Sequence, residues 1–399
     1  MSHTRMRDVV IVDAVRTPMG RRGGALSQNH PVETSALLLK ALVERNDIDP
    51  EIVDDAIYGC VSEVGAQSTN LARNVVLTAG WPYRIPGVTL DRQCSSGQQA
   101  IHFAANQIAS GTHEVVLAGG TEWMSPIPLG SNVVKDLGYP FTKAMQEQYD
   151  LTSQGLSAER IAEKWGISRE EADEFGAESQ GKAARARDEG RFKNEMVAVP
   201  GKKKHKKDDG TEEWEDATID FDEGIRAGTT VEVLGNLKPS FKENGVHTAG
   251  NSSQITDGSA AVLLTHADKA KELGLKPRAR IVSQAVVGSD PEFMLTGPIP
   301  ATPMALERAG LTLRDMDLVE INEAFASVVL AWKREMNADM DRVNVNGGAI
   351  ALGHPTGCTG ARLFTTMVNE LERINGQYGL ITMCVGGGIG TAAVVERLD

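Results

Sequence analysis

Short runs of aliphatic and β-branched residues alternate, in the first third of the chain, with segments whose apolar residues recur at helical spacing. The pattern predicts strands at 9–12, 56–59, 88–90 and 114–118, and helices at 34–42, 70–79 and 96–110. In the last helix the apolar residues Ala100, Ile101, Ala104, Ala105 and Ile108 fall on one stripe. Such alternation of strand and helix is typical of an α/β unit.

Charged helical patterns at 158–165 and 169–189 replace this alternation between residues 121 and 250, which indicates an insertion made of surface helices and loops. The strand–helix alternation returns near residue 257. Strands are predicted at 257–265, 278–287, 318–322, 343–346, 379–385 and 389–396, and helices at 301–310, 323–336 and 360–372.

The first and last parts of the chain show the same features in the same order. Each begins with an Ile/Val strand followed by a turn. Each continues with a strand, a turn that bears a reactive residue and a helix, and then has a strand that ends in a glycine cluster. The glycine clusters are Gly119-Gly120 and Gly386-Gly387-Gly388. Internal repetition predicts two similar α/β domains packed face to face, with a site between them. The expected limits are 1–120 plus 251–270 for the N-terminal domain, 121–250 for the inserted loop domain, and 271–399 for the C-terminal domain.

Length and composition agree with a multidomain globular protein. A chain of 399 residues with 41% hydrophobic and 24% charged residues is neither disordered nor fibrous. The longest uncharged stretch, 374–395, contains six glycines and fits two short strands better than a membrane span. The first apolar run is too short for a signal peptide. We therefore expect a soluble, cytoplasmic protein.

The charge balance argues against nucleic acid or an anionic membrane as partner, because 54 acidic residues face 41 basic ones, for a net charge of −13. Basic residues gather only at Lys202–Lys207, where Asp208 and Asp209 follow directly. A solvated loop is the favoured interpretation of this run, and a phosphate contact is the alternative.

Four cysteines occur, at positions 60, 94, 358 and 384, and no two have the C-x-x-C spacing. A disulfide scaffold and a metal site are therefore not expected. In a reducing compartment each thiol is free to pack or to act as a nucleophile.

Cys94 stands where a predicted strand turns into a helix, in the sequence Asp91-Arg92-Gln93-Cys94-Ser95-Ser96-Gly97. The free N–H groups and the dipole of a helix start favour a thiolate at this position. Small neighbours would also let a substrate approach. A buried structural cysteine is the alternative.

His354 lies within 347–357, a stretch that holds four glycines. A histidine on a glycine-hinged loop is better placed to act than to fill a core, although loop backbone alone could satisfy it. His102, on the helix after Cys94, is expected to be a packing or surface residue.

Two further residues have both a structural and a chemical interpretation. Cys384 abuts Gly386-Gly387-Gly388, so it could pack, or act as an acid or base beside a backbone amide that binds an oxyanion. Asn322 precedes a predicted helix, so it could cap that helix or orient a water molecule.

Taken together, Cys94, Asn322, His354 and Cys384 follow one another in an order that resembles the thiolase family of acyl-CoA acetyltransferases. The resemblance covers essentially the whole chain. The motifs that carry the resemblance are 12–20, 250–253 with 257–258, 353–355 and 384–388. The resemblance implies duplicated α/β domains layered α-β-α-β-α with an inserted loop domain. It also implies a ping-pong reaction in which coenzyme A is substrate or product and not a permanently bound cofactor.

The resemblance also implies the role of each candidate residue. Cys94 becomes acylated, His354 activates it and contributes to an oxyanion pocket, and Asn322 holds a water in that pocket. Cys384 moves a proton at the reacting carbon. The backbone N–H groups of Cys94 and Gly386 line a second oxyanion pocket.

The same resemblance assigns contacts with the CoA portion to Ser253 and Arg226. The partners implied are acyl-CoA and CoA. A homodimer or homotetramer is implied as well, with residues 121–140 as the tetramer contact.

Two positions depart from the family pattern. Gln154 stands where acetyl-specific members carry Met, which admits longer 3-ketoacyl chains and favours the degradative direction. Cys358 stands where Ala is more usual and is interpreted as a packing residue.

Two alternative functions were considered. A ketoacyl synthase would need a second His at the position of Cys384. A non-catalytic acyl-CoA-binding relative would lack at least one of the reactive groups.

Overall fold

A computed structural model describes residues 7–207 and 211–399, so Asp208, Asp209 and the first six residues of the predicted N-terminal domain lie outside it. The strands are β1 (Val9–Arg16), β2 (Gly20–Arg21), β3 (Asp55–Gly59), β4 (Val88–Leu90), β5 (Val115–Trp123), β6 (Val199–Lys206), β7 (Glu212–Ile219), β8 (Thr256–His266), β9 (Ala279–Gly288), β10 (Leu318–Ile321), β11 (Tyr378–Val385) and β12 (Ile389–Arg397). The helices are α1 (Pro31–Asn46), α2 (Leu71–Thr78), α3 (Ser96–Ser110), α4 (Lys143–Gln148), α5 (Gln154–Trp165), α6 (Arg169–Asp188), α7 (Val231–Gly235), α8 (Ala267–Glu272), α9 (Pro298–Ala309), α10 (Ala326–Met336), α11 (Ala349–Leu352) and α12 (Thr356–Ile374).

Ten strands form one sheet in the order β10-β11-β12-β9-β1-β8-β5-β3-β4, with β2 beside β8. The repeat predicted from the sequence is visible in this order. In the first half β3 runs parallel to β5, and β5, β8 and β1 follow as antiparallel neighbours. In the second half β10 runs parallel to β11, and β11, β12 and β9 follow in the same way. The halves meet where β1 pairs antiparallel with β9.

Helices α3 and α12 lie between the two halves of the sheet. Their apolar residues share one buried cluster with residues of β1, β5 and β8 on one side and of β11 and β12 on the other. A second cluster places α1 and α2 against the outer face of the first half, and a third places α9 and α10 against the second. This is the α-β-α-β-α layering expected from the sequence.

The two central helices approach each other at glycine. A Cβ atom on Gly97 of α3 would lie 2.8 Å from the carbonyl oxygen of Gly357 in α12. Only a residue without a side chain fits this distance. Because Cys94 precedes α3 and His354 precedes α12, the close approach brings the two loops together.

Residues 343–346 do not form the predicted strand. Val343 makes one isolated bridge to Val319, and Asn344 then turns with a φ of 44°. The side chain of Asn344 takes over the pairing: its Oδ1 accepts from the Ile321 N–H and its Nδ2 donates to the Ile321 carbonyl, each at 2.9 Å. The side-chain amide of Asn344 thus forms the hydrogen bonds to Ile321 that the sequence led us to expect from the backbone of a neighbouring strand.

The basic run also differs from the prediction, because all of it except Lys207 lies in strand β6 of a two-stranded hairpin with β7 and not in a loop. Its side chains are exposed, as expected, but they face acids across the hairpin. Lys202 pairs with Asp216, Lys204 with Glu212, and Lys207 with Glu213. This cross-strand pairing disfavours the alternative of a phosphate-binding patch.

The three-part domain division stays a proposal, supported by the fact that the strands of the main sheet come from 9–123 and 256–397. Among the described residues, no helix has the length and apolar character needed to cross a bilayer.

Candidate active site

Cys94 lies on a tight turn between β4 and α3. Gln93 adopts a left-handed φ of 46°, and its N–H is held by the Asp91 carboxylate at 2.6 Å. The turn directs the Cys94 side chain inward, where it is almost fully buried. The sequence correctly predicted this strand-to-helix turn.

The backbone donors expected to favour a thiolate at Cys94 are present, but burial acts against them. Burial raises the pKa of the Cys94 thiol to about 11, and the nearby Asp91 charge adds to this. The backbone N–H groups of Gly386 and Cys94 act in the opposite direction, as does the Gln154 side chain. Because burial outweighs the donors, the thiol needs a base in order to react near neutral pH.

His354 lies between α11 and α12, after Gly353 with a φ of 96°. Its N–H donates to the Gln254 carbonyl at 3.0 Å, and its Nδ1 lies 2.6 Å from Thr359 Oγ1. Burial, with a smaller contribution from the Arg362 charge, lowers the pKa of His354 to about 3. The ring is therefore neutral over the physiological range and carries a free lone pair, although the same burial makes it a weaker base than an exposed histidine.

Asn322 does not cap a helix, although that was one of its two interpretations. Strand β10 ends at Ile321, and α10 begins four residues after Asn322, at Ala326. Asn322 Nδ2 lies 3.4 Å from His354 Nε2 and 4.0 Å from Cys384 Sγ. Its Oδ1 is buried with no partner among the described residues, which suits the other interpretation, an oriented water.

Cys384 is near the end of β11 and is fully buried. Burial raises the pKa of its thiol, and the proximity of Cys94 raises it further, whereas the Asn322 side chain lowers it. The charges of the two sulfurs thus influence each other. The structure brings together Cys94, Asn322, His354 and Cys384, which lie far apart in the chain, and the N–H of Gly386, two residues after Cys384.

Ser253 and Arg226 lie beside this centre and not within it. The Ser253 N–H donates to the Ala324 carbonyl at 2.9 Å, next to the Asn322 loop. Arg226 has an exposed side chain, while its backbone N–H donates to Gln180 Oε1 at 2.7 Å. A Cβ on nearby Gly224 would lie 2.5 Å from the Ala351 carbonyl, so this loop packs against the segment that leads to His354.

Sequence reasoning missed Glu122, a buried carboxylate below the His354 loop. It accepts hydrogen bonds from the N–H groups of Val61, Ser62 and Gly357, at 2.8–3.0 Å. The Thr356 hydroxyl and the Gln67 amide add two more. An acid two residues after Gly119-Gly120, near the end of an apolar strand, was the available signal.

Other buried residues follow the sequence prediction. His102 and Cys358 are both buried, in α3 and α12 respectively, as packing residues. Among residues 7–207 and 211–399, no group of three or more His, Cys, Asp or Glu side chains is arranged to hold a metal ion.

Comparison with known proteins gives matches over nearly the whole chain. The family model for "Thiolase, N-terminal domain" matches residues 9–268, and that for "Thiolase, C-terminal domain" matches residues 275–397. The steroid 3-ketoacyl-CoA thiolase FadA6 of Mycobacterium tuberculosis (strain ATCC 25618 / H37Rv) is 48% identical, over 98% of this chain and 95% of that protein.

Solved structures agree with this. The Bacillus anthracis acetyl-CoA acetyltransferase is 41% identical with a TM-score of 0.88, covering 99% of this chain and all of that one. Human mitochondrial 3-ketoacyl-CoA thiolase in complex with CoA is 38% identical with a TM-score of 0.86, covering 99% of both chains. With its fold, its sequence and two family models in agreement, the chain belongs to the thiolase family, enzymes that transfer acyl groups between thioesters with coenzyme A as substrate.

Proposed function

We propose that this thiolase cleaves 3-ketoacyl-CoA chains longer than acetoacetyl-CoA, as an acetyl-CoA C-acyltransferase. The observation that carries the assignment of roles is the convergence of Cys94, Cys384, His354 and Asn322 on one buried site. Two thiols, a neutral imidazole and a side-chain amide supply the nucleophile, the bases and the hydrogen-bond donor that this reaction needs.

Acylation begins when His354 Nε2 takes the proton of Cys94. The thiolate attacks the 3-keto carbon, and the bond between C2 and C3 breaks. Its electron pair goes to C2, which takes a proton from Cys384 and leaves as acetyl-CoA. The shortened acyl group stays on Cys94 as a thioester.

Deacylation returns the enzyme to its starting state. The thiol of an incoming CoA gives its proton to Cys384 and attacks the acyl-Cys94 carbonyl. Shortened acyl-CoA leaves, and the Cys94 sulfur recovers a proton from His354. Hydrogen bonds to the carbonyl oxygens stabilise each tetrahedral intermediate: Asn322 acts through its bound water in one pocket, and the N–H groups of Cys94 and Gly386 act in the other.

Ser253 and Arg226 are proposed to hold the CoA portion near the site entrance. Arg226 is an exposed cation on a loop that packs beside Gln254 and Ala351, next to the active-site loops. A guanidinium suits the CoA phosphates. Arg226→Ala is expected to raise the KM for CoA and to leave kcat nearly unchanged.

The test is to trap the acyl-enzyme. The protein is mixed with a 3-ketoacyl-CoA in the absence of free CoA, quenched in acid, and digested for mass spectrometry. We expect the acyl group on Cys94, and no turnover but intact CoA binding in Cys94→Ala. Cys358→Ala, a second buried cysteine, is the matched control and should keep its activity. Turnover by Cys94→Ala would refute the assignment.

Chain-length preference is tested with acetoacetyl-CoA against longer 3-ketoacyl-CoA substrates. Gln154 in place of Met, and the names of the relatives, favour the longer chains. A strong preference for the four-carbon substrate would overturn this part and leave the acyl-transfer chemistry in place.

We also propose a homo-oligomer, a dimer or tetramer, with residues 121–140 as a contact. The exposed apolar side chains Leu137 (87% exposed) and Tyr139 (64% exposed) support it. Light scattering on the wild type and on Leu137→Asp tests it: a lower mass is expected for the variant, and an unchanged mass counts against this contact. A cytoplasmic location stays a prediction.

A further inference from the structure

Glu323 follows Asn322 directly in the chain and is buried, with 1% of the residue exposed. Its carboxylate accepts hydrogen bonds from three separate segments. Ser179 Oγ in α6 donates to Oε2 at 2.7 Å, the Ile350 N–H in α11 donates to Oε2 at 3.1 Å, and Asn344 Nδ2 donates to Oε1 at 2.8 Å. Glu323 therefore joins the inserted segment, the turn at residue 344 and the short helix α11 at one point.

Glu323 also limits the path of the backbone that leads to His354. A side chain on Gly348 would collide with the Glu323 carboxylate, and the Gly348 N–H donates to the Ser179 hydroxyl at 3.2 Å. Helix α11 then runs only from Ala349 to Leu352, and His354 follows two residues later. The carboxylate thus holds the beginning of the segment that ends in His354.

The two segments that Glu323 connects carry groups that face each other in the active site. Asn322 Nδ2 lies 3.4 Å from His354 Nε2. Glu323 is the covalent neighbour of Asn322, and its carboxylate binds α11 on the way to His354. A shift of α11 relative to the end of β10 would change the separation of the amide and the imidazole, and the hydrogen bonds of Glu323 oppose that shift.

We propose that Glu323 is a positioning residue that holds the Asn322 amide and the His354 ring in the alignment needed for cleavage of the C2–C3 bond. This deepens the proposed function and rests on Asn322 and His354 forming one oxyanion pocket. When that bond breaks, the negative charge on C2 is shared with the oxygen of the CoA thioester carbonyl. At that stage His354 carries the proton taken from Cys94, so both residues of the pocket can supply donors to this oxygen.

A second reaction of the proposed mechanism creates no such charge, namely the exchange of labelled CoA into acetyl-CoA. Cys94 gives its proton to His354 and accepts the acetyl group, and the departing CoA takes a proton from Cys384. Labelled CoA then reverses these steps. Exchange needs His354 as a base but breaks no carbon–carbon bond, so the alignment of Asn322 with His354 should matter more for cleavage than for exchange.

The experiment compares kcat for cleavage of a 3-ketoacyl-CoA with the rate of exchange of isotopically labelled CoA into acetyl-CoA, using the full chain. We expect Glu323→Gln to lower cleavage about 10- to 100-fold and exchange about threefold or less, because the new NH₂ group must face one of the three donors. Ser179→Ala removes one donor and leaves the other two, so a smaller but equally selective loss of cleavage is expected.

Glu370→Gln is the matched control. Glu370 is also a buried carboxylate, near the end of α12, and it accepts from Asn346 and Arg373. The same chemical change at this position should disturb buried hydrogen bonds but keep the ratio of cleavage to exchange at its wild-type value.

Equal losses of cleavage and exchange in Glu323→Gln, or no loss of either, would overturn the proposal, since a general disturbance of the fold affects both reactions alike. If Glu323→Gln does not fold, Ser179→Ala decides, and a variant without a selective loss of cleavage overturns the proposal. Failure of the proposed function is distinguishable, because it would appear in the wild type as absent cleavage or as an acyl group on a residue other than Cys94.

Discussion

The hydroxyl of Thr359 fixes which nitrogen of His354 carries the proton. Thr359 Oγ1 donates to the Pro355 carbonyl at 2.9 Å, so towards His354 Nδ1, at 2.6 Å, it can only accept. His354 is therefore protonated at Nδ1, and Nε2 presents its lone pair to the Asn322 amide and the interior of the site. Thr359, in the first turn of α12, thus holds His354 in the tautomer that the proposed mechanism needs, with Nε2 free to act as the base.

Thr359→Val keeps the shape of the residue and removes this acceptor. We expect kcat to fall about 10- to 100-fold, part of what a general base contributes, because the ring is no longer held in one tautomer. Thr365→Val is the matched control, since the Thr365 hydroxyl donates to the Ala361 carbonyl on the same helix. Steady-state kinetics on the two variants compares them, and equal losses in both would contradict the role of Thr359.

Glu122→Gln should destabilise the protein. Both oxygens of Glu122 accept hydrogen bonds from buried donors, and an NH₂ group in place of one oxygen would leave those donors unpaired. We expect a loss of about 2–4 kcal/mol in the free energy of unfolding. Urea denaturation measures it, with the exposed Glu307→Gln as control, which should change by less than about 0.5 kcal/mol.

Asn344→Asp tests the side-chain amide that replaces a strand. The new oxygen would face the Ile321 carbonyl and Glu323 Oε1, which now accept from Asn344 Nδ2 at 2.9 and 2.8 Å. Repulsion at this buried position should cost about 2–4 kcal/mol of stability. Asn337→Asp is the matched control, because Asn337 is also left-handed, with a φ of 48°, but exposed. A stable Asn344→Asp protein would contradict the bridging role.

Acid sensitivity should follow in part from His102. Burial, with a smaller contribution from the Arg92 charge, lowers the pKa of His102 from 6.5 to about 3. The unfolded chain therefore binds a proton below pH 6.5 that the folded protein refuses. Stability from this residue is complete above pH 6.5 and is lost as the pH falls towards 3, by at most about 1.4 kcal/mol per pH unit.

His102→Gln should accordingly show a shallower loss of stability between pH 6.5 and 4 than the wild type. Urea denaturation at several pH values measures the difference. The exposed His30→Gln serves as control and should follow the wild-type curve. Parallel curves for His102→Gln and wild type would show that His102 does not contribute.

The sequence predicted most elements of the central layers, because buried strands and one-sided helices have strong periodicity. The helix 96–110 was predicted with the bounds it has. The strand at 343–346 was not found, because a side-chain amide can satisfy a neighbouring backbone as a strand does, and hydrophobic pattern does not distinguish the two. Strand β6 was missed because its run of exposed lysines has no apolar alternation, and the acids that face it lie on β7, the other strand of the same hairpin.

The candidate site was predictable in its residues but not in its energetics. Motif and glycine context identified Cys94, His354 and Cys384. At Cys94, burial affects the pKa of the thiol more than the donors at the helix start do. This burial depends on packing from the second half of the chain, which the sequence around Cys94 does not contain. The role of Asn322 was also not predictable from local sequence. Only the structure shows that Asn322 does not cap a helix, because α10 begins at Ala326.

The position of β8 has a consequence for how the polypeptide is made. Strands β1 and β5 both pair with β8 and not with each other, and β8 is completed only at His266. While the ribosome is still synthesising the inserted segment, the first half of the sheet has a gap at its centre. We expect the nascent chain to stay incompletely folded until β8 emerges, so a fragment that ends at residue 250 should aggregate, whereas one that ends at residue 270 can close its sheet.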